Sequence, residues 1–209
     1  MTFLELCQAL RREAGAAGTG PANVEGQSGE YKRIVEWIRN EWIRLQERHQ
    51  RWNFAWAQGS IELEPDFRVY DLPSGVAQID PKTLYFNGRE IALIDWRDFR
   101  ESFREPSGGG VRRVAVDPSG QLHLEDFPEA TRDLTFEYWR EPQVLETNND
   151  TPRAPSVYHY AIVYAALRQY GLYENAPEVV QQADYSLSHV YQAMVNRELP
   201  GVEIQGPLA

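Results

Sequence analysis

The sequence lacks several things that enzymes, metalloproteins and nucleic-acid binders commonly carry. Cys7 is the sole cysteine, which excludes an intrachain disulfide framework and a cysteine metal cluster. Four histidines, His49, His123, His159 and His189, are scattered, and none has a second His or Cys three or four residues on. A helical metal pair is therefore not signalled. No GxxxxGK[ST] loop is present, and neither Ser156 nor Ser186 sits in a GxSxG elbow. Only Lys32 and Lys82 among the 21 basic residues are lysines. Arginine suits bidentate and stacked contacts better than lysine, although genomic base composition accounts for the bias equally well. Basic excess is also missing. The net charge of -10 argues against a face that wraps nucleic acid, while leaving open an acidic channel through which DNA slides. No run of ~18 apolar residues and no signal peptide occurs, so a soluble product without a membrane span, made in a cytoplasm, is expected.

What is present is a globular chain. Hydrophobic residues make up 42%, with six Trp, eleven Tyr and eight Phe, in 209 residues. That composition excludes a disordered polymer and suffices for one domain, or one domain with an insertion.

The strongest periodic stretch runs from Glu30 to Trp56. Tyr31, Ile34, Ile38, Trp42, Leu45, His49, Trp52 and Trp56 follow one another by three or four residues, which is one stripe of a helix. The spacing predicts a helix over 30–52, about 34 Å long at roughly 1.5 Å per residue. Trp42 and Leu45 fall in its core stripe. Trp37 and Ile43 fall off it, so they are candidate partner-interface residues on a second side. Before it, Thr2 and Glu5 form a capping-box pair ahead of the stripe Phe3, Leu6, Cys7, Leu10, Ala14, and Gly15 is placed to end that helix. Cys7 reads there as a small core residue rather than an activated thiolate, since Arg11 is its only basic helical neighbour. Residues 15–29 hold five glycines and Pro21 and read as a loop, long enough to suggest mobility or function. Ser28 is positioned to cap the long helix.

After Gly59 the period becomes two. Strands are expected over 61–64 and 67–72, broken by Pro65 and Pro73. Asn87-Gly88 marks a type I′ hairpin between 84–86 and 89–91. Asp95 caps a short helix over 96–104, and 107–110 is a flexible link. The turn Asp117-Pro118-Ser119-Gly120 joins strands 111–116 and 121–124, and 134–139 is the last strand. Glu62 with Glu64 and Glu125 with Asp126 are carboxylate pairs, read as solvated strand edges rather than acid/base machinery. Helices resume after 146–155. Residues 157–170 are apolar on almost every side and should form the most buried helix, with Gly171 ending it. Asn175 and Glu178 resemble a cap for a last helix with the stripe Val180, Ala183, Leu187, Val190, Met194. His159 and His189, on helices expected to pack as a hairpin, leave a two-His site weakly open. Leu199-Pro200-Gly201 stops the chain's last helix. Val202, Ile204 and Leu208 then lie in a short tail, candidate partner contacts against the alternative of a frayed terminus.

The expected class is α+β: a helical bundle built from N- and C-terminal helices with an inserted antiparallel β-rich region. The boundaries are 1–59 for the first helices, 60–145 for the insertion, 146–199 for the helical hairpin and 200–209 for the tail. No catalytic residue, metal site or cofactor is predicted.

The order of motifs adds more. FLELCQALRREAG, the glycine loop, GEYKRIVEWIRNEWIRLQERHQRWNF, VAVDPSGQLHLEDFP, LTFEYWREPQVL and VYHYAIVYAALRQYGLYENAP together resemble the head-to-tail adaptor proteins of tailed bacteriophages, from Thr2 to about Pro200. The resemblance implies a structural virion protein at the head–tail interface, a dodecameric ring beneath the portal that joins capsid to tail. Its implied partners are the portal protein, tail or nozzle proteins, further copies of itself, and genomic DNA passing through the channel without sequence-specific binding. The alternative is a monomeric ligand-binding or enzymatic α+β protein with a site in the β-rich insertion.

Overall fold

The structure is a computed structural model and describes residues 1–103, 105–106 and 108–199. The fold is α+β. It divides into a helical unit, Met1–Ala55 with the chain from Pro142 onward, and a β-rich unit, Trp56–Glu141.

In the helical unit, α1 spans Phe3–Glu13. The Thr2 N–H donates to Glu5 Oε2 (2.8 Å) and the Glu5 N–H to Thr2 Oγ1 (3.2 Å). The capping box thus satisfies two of the donors a helix start leaves open. Gly15, at φ 63°, takes the left-handed conformation just past the helix end. The glycine-rich loop that follows is pinned. Arg11 donates to the Ala17 carbonyl, Gln8 to the Pro21 carbonyl, and the Val24 N–H to Asn148 Oδ1.

Helix α2 spans Gly29–Glu47, shorter than the periodicity predicts. Ser28 is its N-cap residue but makes no side-chain cap bond. Ile34, Ile38, Trp42 and Leu45 are buried as expected. The last three members of the stripe are not on the helix at all. His49 follows its end, Trp52 precedes a short 3₁₀ turn (Asn53–Ala55), and Trp56 opens a strand. The period persists because Trp52 folds back to the core by another route. Its indole N–H donates to the Gln46 carbonyl (3.1 Å), and its ring stacks on Phe54. That carbonyl is one of those a helix end leaves without an internal partner. The Gln46 side chain meanwhile pairs with both the N–H and the carbonyl of Gln143.

Beyond the short helix α3 (Trp96–Ser102) of the β-rich unit, helix α4 spans His159–Tyr173, preceded by a 3₁₀ turn Ser156–Tyr158. It is buried on several sides through Ala161, Ile162, Val163, Ala165, Ala166 and Leu167, but Val157 lies outside it and is 71% exposed. Gly171 does not end it. A Cβ there would lie 2.9 Å from Val180 Cγ2 and 3.0 Å from the Val180 nitrogen, so the glycine admits close approach of the next helix. That helix, α5, spans Pro177–Glu198 with Pro177 in its first turn. Its N-cap residue is Ala176, not Asn175. Asn175 instead adopts φ 54°, a left-handed turn that asparagine tolerates. Phe3, Leu6 and Leu10 of α1, the α2 stripe, α4 and Ala183 of α5 form one core.

The β-rich unit has two sheets. Strands β1 (Trp56–Leu63), β9 (Arg132–Arg140), β4 (Tyr85–Phe86) and β5 (Arg89–Glu90) lie side by side in that order, and β3 (Val76–Ile79) also pairs with β9. The second sheet runs β2 (Val69–Asp71), β8 (Gln121–Leu124), β7 (Arg113–Val116), β6 (Ala92–Leu93). Among the described residues all pairs are antiparallel except β6 with β7, a parallel pair that the hairpin signals did not foretell. The short helix α3 (Trp96–Ser102) connects β6 to β7, capped by Asp95, whose carboxylate accepts the Arg97 N–H. Asn87 (φ 52°) and Gly88 (φ 72°) make the predicted I′ turn. Gly59 faces Phe136 across β1–β9, where a Cβ would lie 3.2 Å from that ring. The ring thus covers the place a side chain would take. Ile61, Leu63, Leu134 and Phe136 of one sheet, with Leu84 just before β4, share a core with Val114, Leu122 and Leu124 of the other.

Candidate assembly surfaces

Each of the four histidines makes a specific contact, and the cysteine is buried. His159 is buried; its Nδ1 lies 2.8 Å from the Met1 amino group and its Nε2 lies 2.9 Å from the Ala154 carbonyl. Burial, with the nearby amino group, pulls its pKa down, and both ring nitrogens are occupied. His189 is exposed and packs edge-on against the Tyr185 ring. His49 bonds the Tyr191 hydroxyl (3.0 Å), and His123 bonds Asp117 (3.1 Å) beside Trp96. Among the described residues no group of three His, Cys, Asp or Glu is placed to hold a metal. Cys7 is fully buried, and burial pushes its thiol up to about 12, which keeps it protonated and unreactive.

The two carboxylate pairs differ. Glu62 and Glu64 are exposed on the β1 side. Glu125 and Asp126 are not solvated, contrary to the sequence reading: they are 2% and 6% exposed. Glu125 accepts the Arg112 N–H (2.8 Å) and an Arg113 guanidinium N–H (3.1 Å), while Asp126 accepts the N–H groups of Gly110 and Phe127. Their polarity hid their role, which is to satisfy the backbone entering β7. A buried carboxylate is stable when it is hydrogen-bonded in this way.

The apolar surface of the helical unit is more informative. Trp37, a candidate interface residue, is half-buried on α2. It meets Tyr170 edge-on (6.2 Å between centroids) and Tyr173 at a tilt (5.8 Å). The Arg33 guanidinium lies 4.4 Å from the Tyr173 ring centroid. Leu172 and Tyr173 remain about half exposed, at 52% and 50%. The result is a corner of Trp, Tyr, Arg and Leu at the end of α4. The first three of these residue types are the ones most enriched at protein–protein hot spots. The i, i+4 spacing of Arg33 and Trp37 and the i, i+3 spacing of Tyr170 and Tyr173 were available in the sequence; their meeting across two helices was not. Ile43 is half-buried on α2, six residues from Trp37 and on a different face. Val202, Ile204 and Leu208 lie outside the described residues. Among the described residues no helix is long and apolar enough to cross a membrane.

The helical unit thus carries a half-exposed corner of aromatic and arginine side chains, and the β-rich unit is inserted within its chain. The class of the protein is that of phage adaptor proteins, a structural rather than an enzymatic group. The family described as SU10 adaptor protein matches residues 1–206, and the chain belongs to that family. No curated protein matches it.

Proposed function

We propose that this chain is the repeating subunit of a ring, dodecameric as in the resembled adaptors, that docks beneath the portal vertex and joins capsid to tail around the DNA channel. The match to the adaptor family over residues 1–206 is the observation that carries the reading. The corner of half-buried Arg33 and Trp37 with the exposed Leu172 and Tyr173 supplies a contact surface of suitable chemistry. Trp37 and Ile43 contact neighbouring subunits or the portal. The tail over 200–209, through Val202, Ile204 and Leu208, docks on a neighbour or on the portal, with tail or nozzle proteins binding on the opposite side of the ring. Each aliphatic side chain so buried contributes roughly 1.5–3 kcal/mol before ordering costs. Genomic DNA passes without sequence-specific binding, in keeping with the net charge of -10: a lumen without basic excess releases few counterions and holds phosphate weakly. The proposed functional division follows the chain, with 1–59 and 146–199 as the bundle, 60–145 as the insertion and 200–209 as an assembly element.

The test is to mix the purified protein with portal rings and image the product, alongside a chain truncated after Gly201. The expected result is a closed ring on the portal for the full chain, with lost attachment and unchanged melting for the truncated one. Monomers that ignore the portal overturn the reading, and full attachment by the truncated chain removes the tail from it.

A further inference from the structure

A cleft of about 370 Å³ opens in the β-rich unit between β5, the segment 109–112 that leads into β7, and 129–132 at the start of β9. Three arginines from these separated stretches line it: Arg89, Arg112 and Arg132. All three are exposed, and among the described residues none of their guanidinium groups has an ion-pair or hydrogen-bond partner. Elsewhere in the same chain arginines engage acids readily, as in Arg11–Glu30, Arg44–Glu41, Arg113–Glu125 and Arg168–Asp184. Three guanidiniums without direct partners, against the two carboxylates of Glu90 and Glu129 on the same cleft, leave a locally positive site on a chain with 31 acidic residues.

We propose that this cleft binds an acidic, extended peptide segment of a partner protein through its carboxylates. Guanidinium forks match carboxylates in bidentate geometry. The cleft volume suits a few side chains. Strand β5 is a sheet edge: among the described residues Arg89 and Glu90 pair on one side only, with Phe86 and Tyr85, so the other side presents backbone groups of the kind an added extended segment uses. Glu90 and Glu129 also line the cleft. They oppose a continuous run of phosphates, whereas a peptide alternates its carboxylates with neutral positions and N–H donors. That mixture favours peptide over nucleic acid. The three arginines converge through strand order alone, because β5 reaches its place by way of β4 and β9, and β7 comes from the second sheet. The inference concerns the β-rich unit and does not rest on the ring or on the contacts proposed for the helical unit.

The experiment uses the full chain and a fluorescein-labelled oligo-glutamate peptide read by anisotropy, with an oligo-thymidine of equal length as the second probe. The triple variant Arg89→Gln, Arg112→Gln, Arg132→Gln is compared with a control of equal charge change at other exposed arginines, Arg12→Gln, Arg97→Gln, Arg140→Gln. Melting curves establish that both variants fold; should the cleft triple variant not fold, the three single substitutions replace it. The expected result is peptide binding that weakens with salt, that falls roughly tenfold or more in the cleft variant from the loss of three exposed ion pairs, and that changes little in the control. Absence of peptide binding to the unaltered chain, equal loss in the control, or tighter binding of the oligo-thymidine each overturns the proposal.

Discussion

Gly171→Ala tests the packing of the α4–α5 hairpin at its narrowest point. In an ordinary helix interior, replacing glycine by alanine stabilises by about 0.5–1 kcal/mol, because glycine loses more backbone entropy on folding. Gly171 lies inside α4 and is buried, so that gain is available. Against it, the new methyl would stand 2.9 Å from Val180 Cγ2, 3.0 Å from the Val180 backbone nitrogen and 3.2 Å from Val179 Cβ. Two of these neighbours are stiff: one belongs to a β-branched side chain, the other to backbone in the first turn of α5. Overpacking of a close-packed contact costs about 1–3 kcal/mol. The net expectation is a loss of roughly 1 kcal/mol, seen as a Tm lower by about 2–4 °C for a chain of this size. Far-UV circular dichroism melting is the assay. A second arm places the same change in a Val180→Ala background, where the 2.9 Å contact is gone. The cost of Gly171→Ala should shrink there, by a coupling of about 0.5 kcal/mol or more. A Gly171→Ala protein as stable as the original, or more so, would refute the reasoning, since helix propensity alone would then decide.

Three further outcomes are expected. Trp42→Ala, emptying a side chain 1% exposed, should cost about 3–5 kcal/mol in urea unfolding; because the Trp42 indole N–H has no hydrogen-bond partner among the described residues, Trp42→Phe should cost clearly less than a truncation of that size. Glu125→Ala leaves the Arg112 N–H without its buried acceptor and should cost about 1–3 kcal/mol, whereas Glu62→Ala, on an exposed position, should fall within about 0.5 kcal/mol of the parent. Asp117 accepts the Ser119 hydroxyl and the N–H groups of Gln121 and Ser119, and these bonds, the hydroxyl first, hold its carboxyl below the usual carboxylate range. A group depressed in the folded state adds stability that is present above its unfolded pKa and is lost as pH falls through the folded one. The Asp117 carboxyl carbon resonance should therefore stay in its ionised position well below pH 4, and a midpoint near the ordinary value of about 3.9 would contradict the turn geometry.

Local chemistry was legible where a short segment carries its own constraint. The capping box at Thr2 and Glu5, the Asn87-Gly88 turn and the Asp95 cap each depend on residues within a few positions of one another, so the sequence contains the whole interaction. The α2 core stripe was legible for the same reason, since Ile34, Ile38, Trp42 and Leu45 need only helical periodicity to face one way. The same rule overran at Trp52 and Trp56, because periodicity records spacing and not the turn that ends a helix. The end of α2 is tied to a side-chain pairing between Gln46 and Gln143, 97 positions apart.

By itself, then, the sequence determined the α+β class, the amphipathic helices, two hairpins and the motif order that marks a phage adaptor. Tertiary structure alone decided the rest. It made Gly171 an interhelical contact rather than a helix stop, because only the approach of Val180 leaves no room for a Cβ. It buried Glu125 and Asp126, because the backbone between Gly110 and Arg112 offers the N–H groups that two carboxylates need once water is removed. Strand order then brought Arg89, Arg112 and Arg132 to one cleft. A helical period or a turn is a property of neighbours along the chain. Burial, close approach and charge convergence depend on which distant segments meet, and no local pattern encodes that meeting.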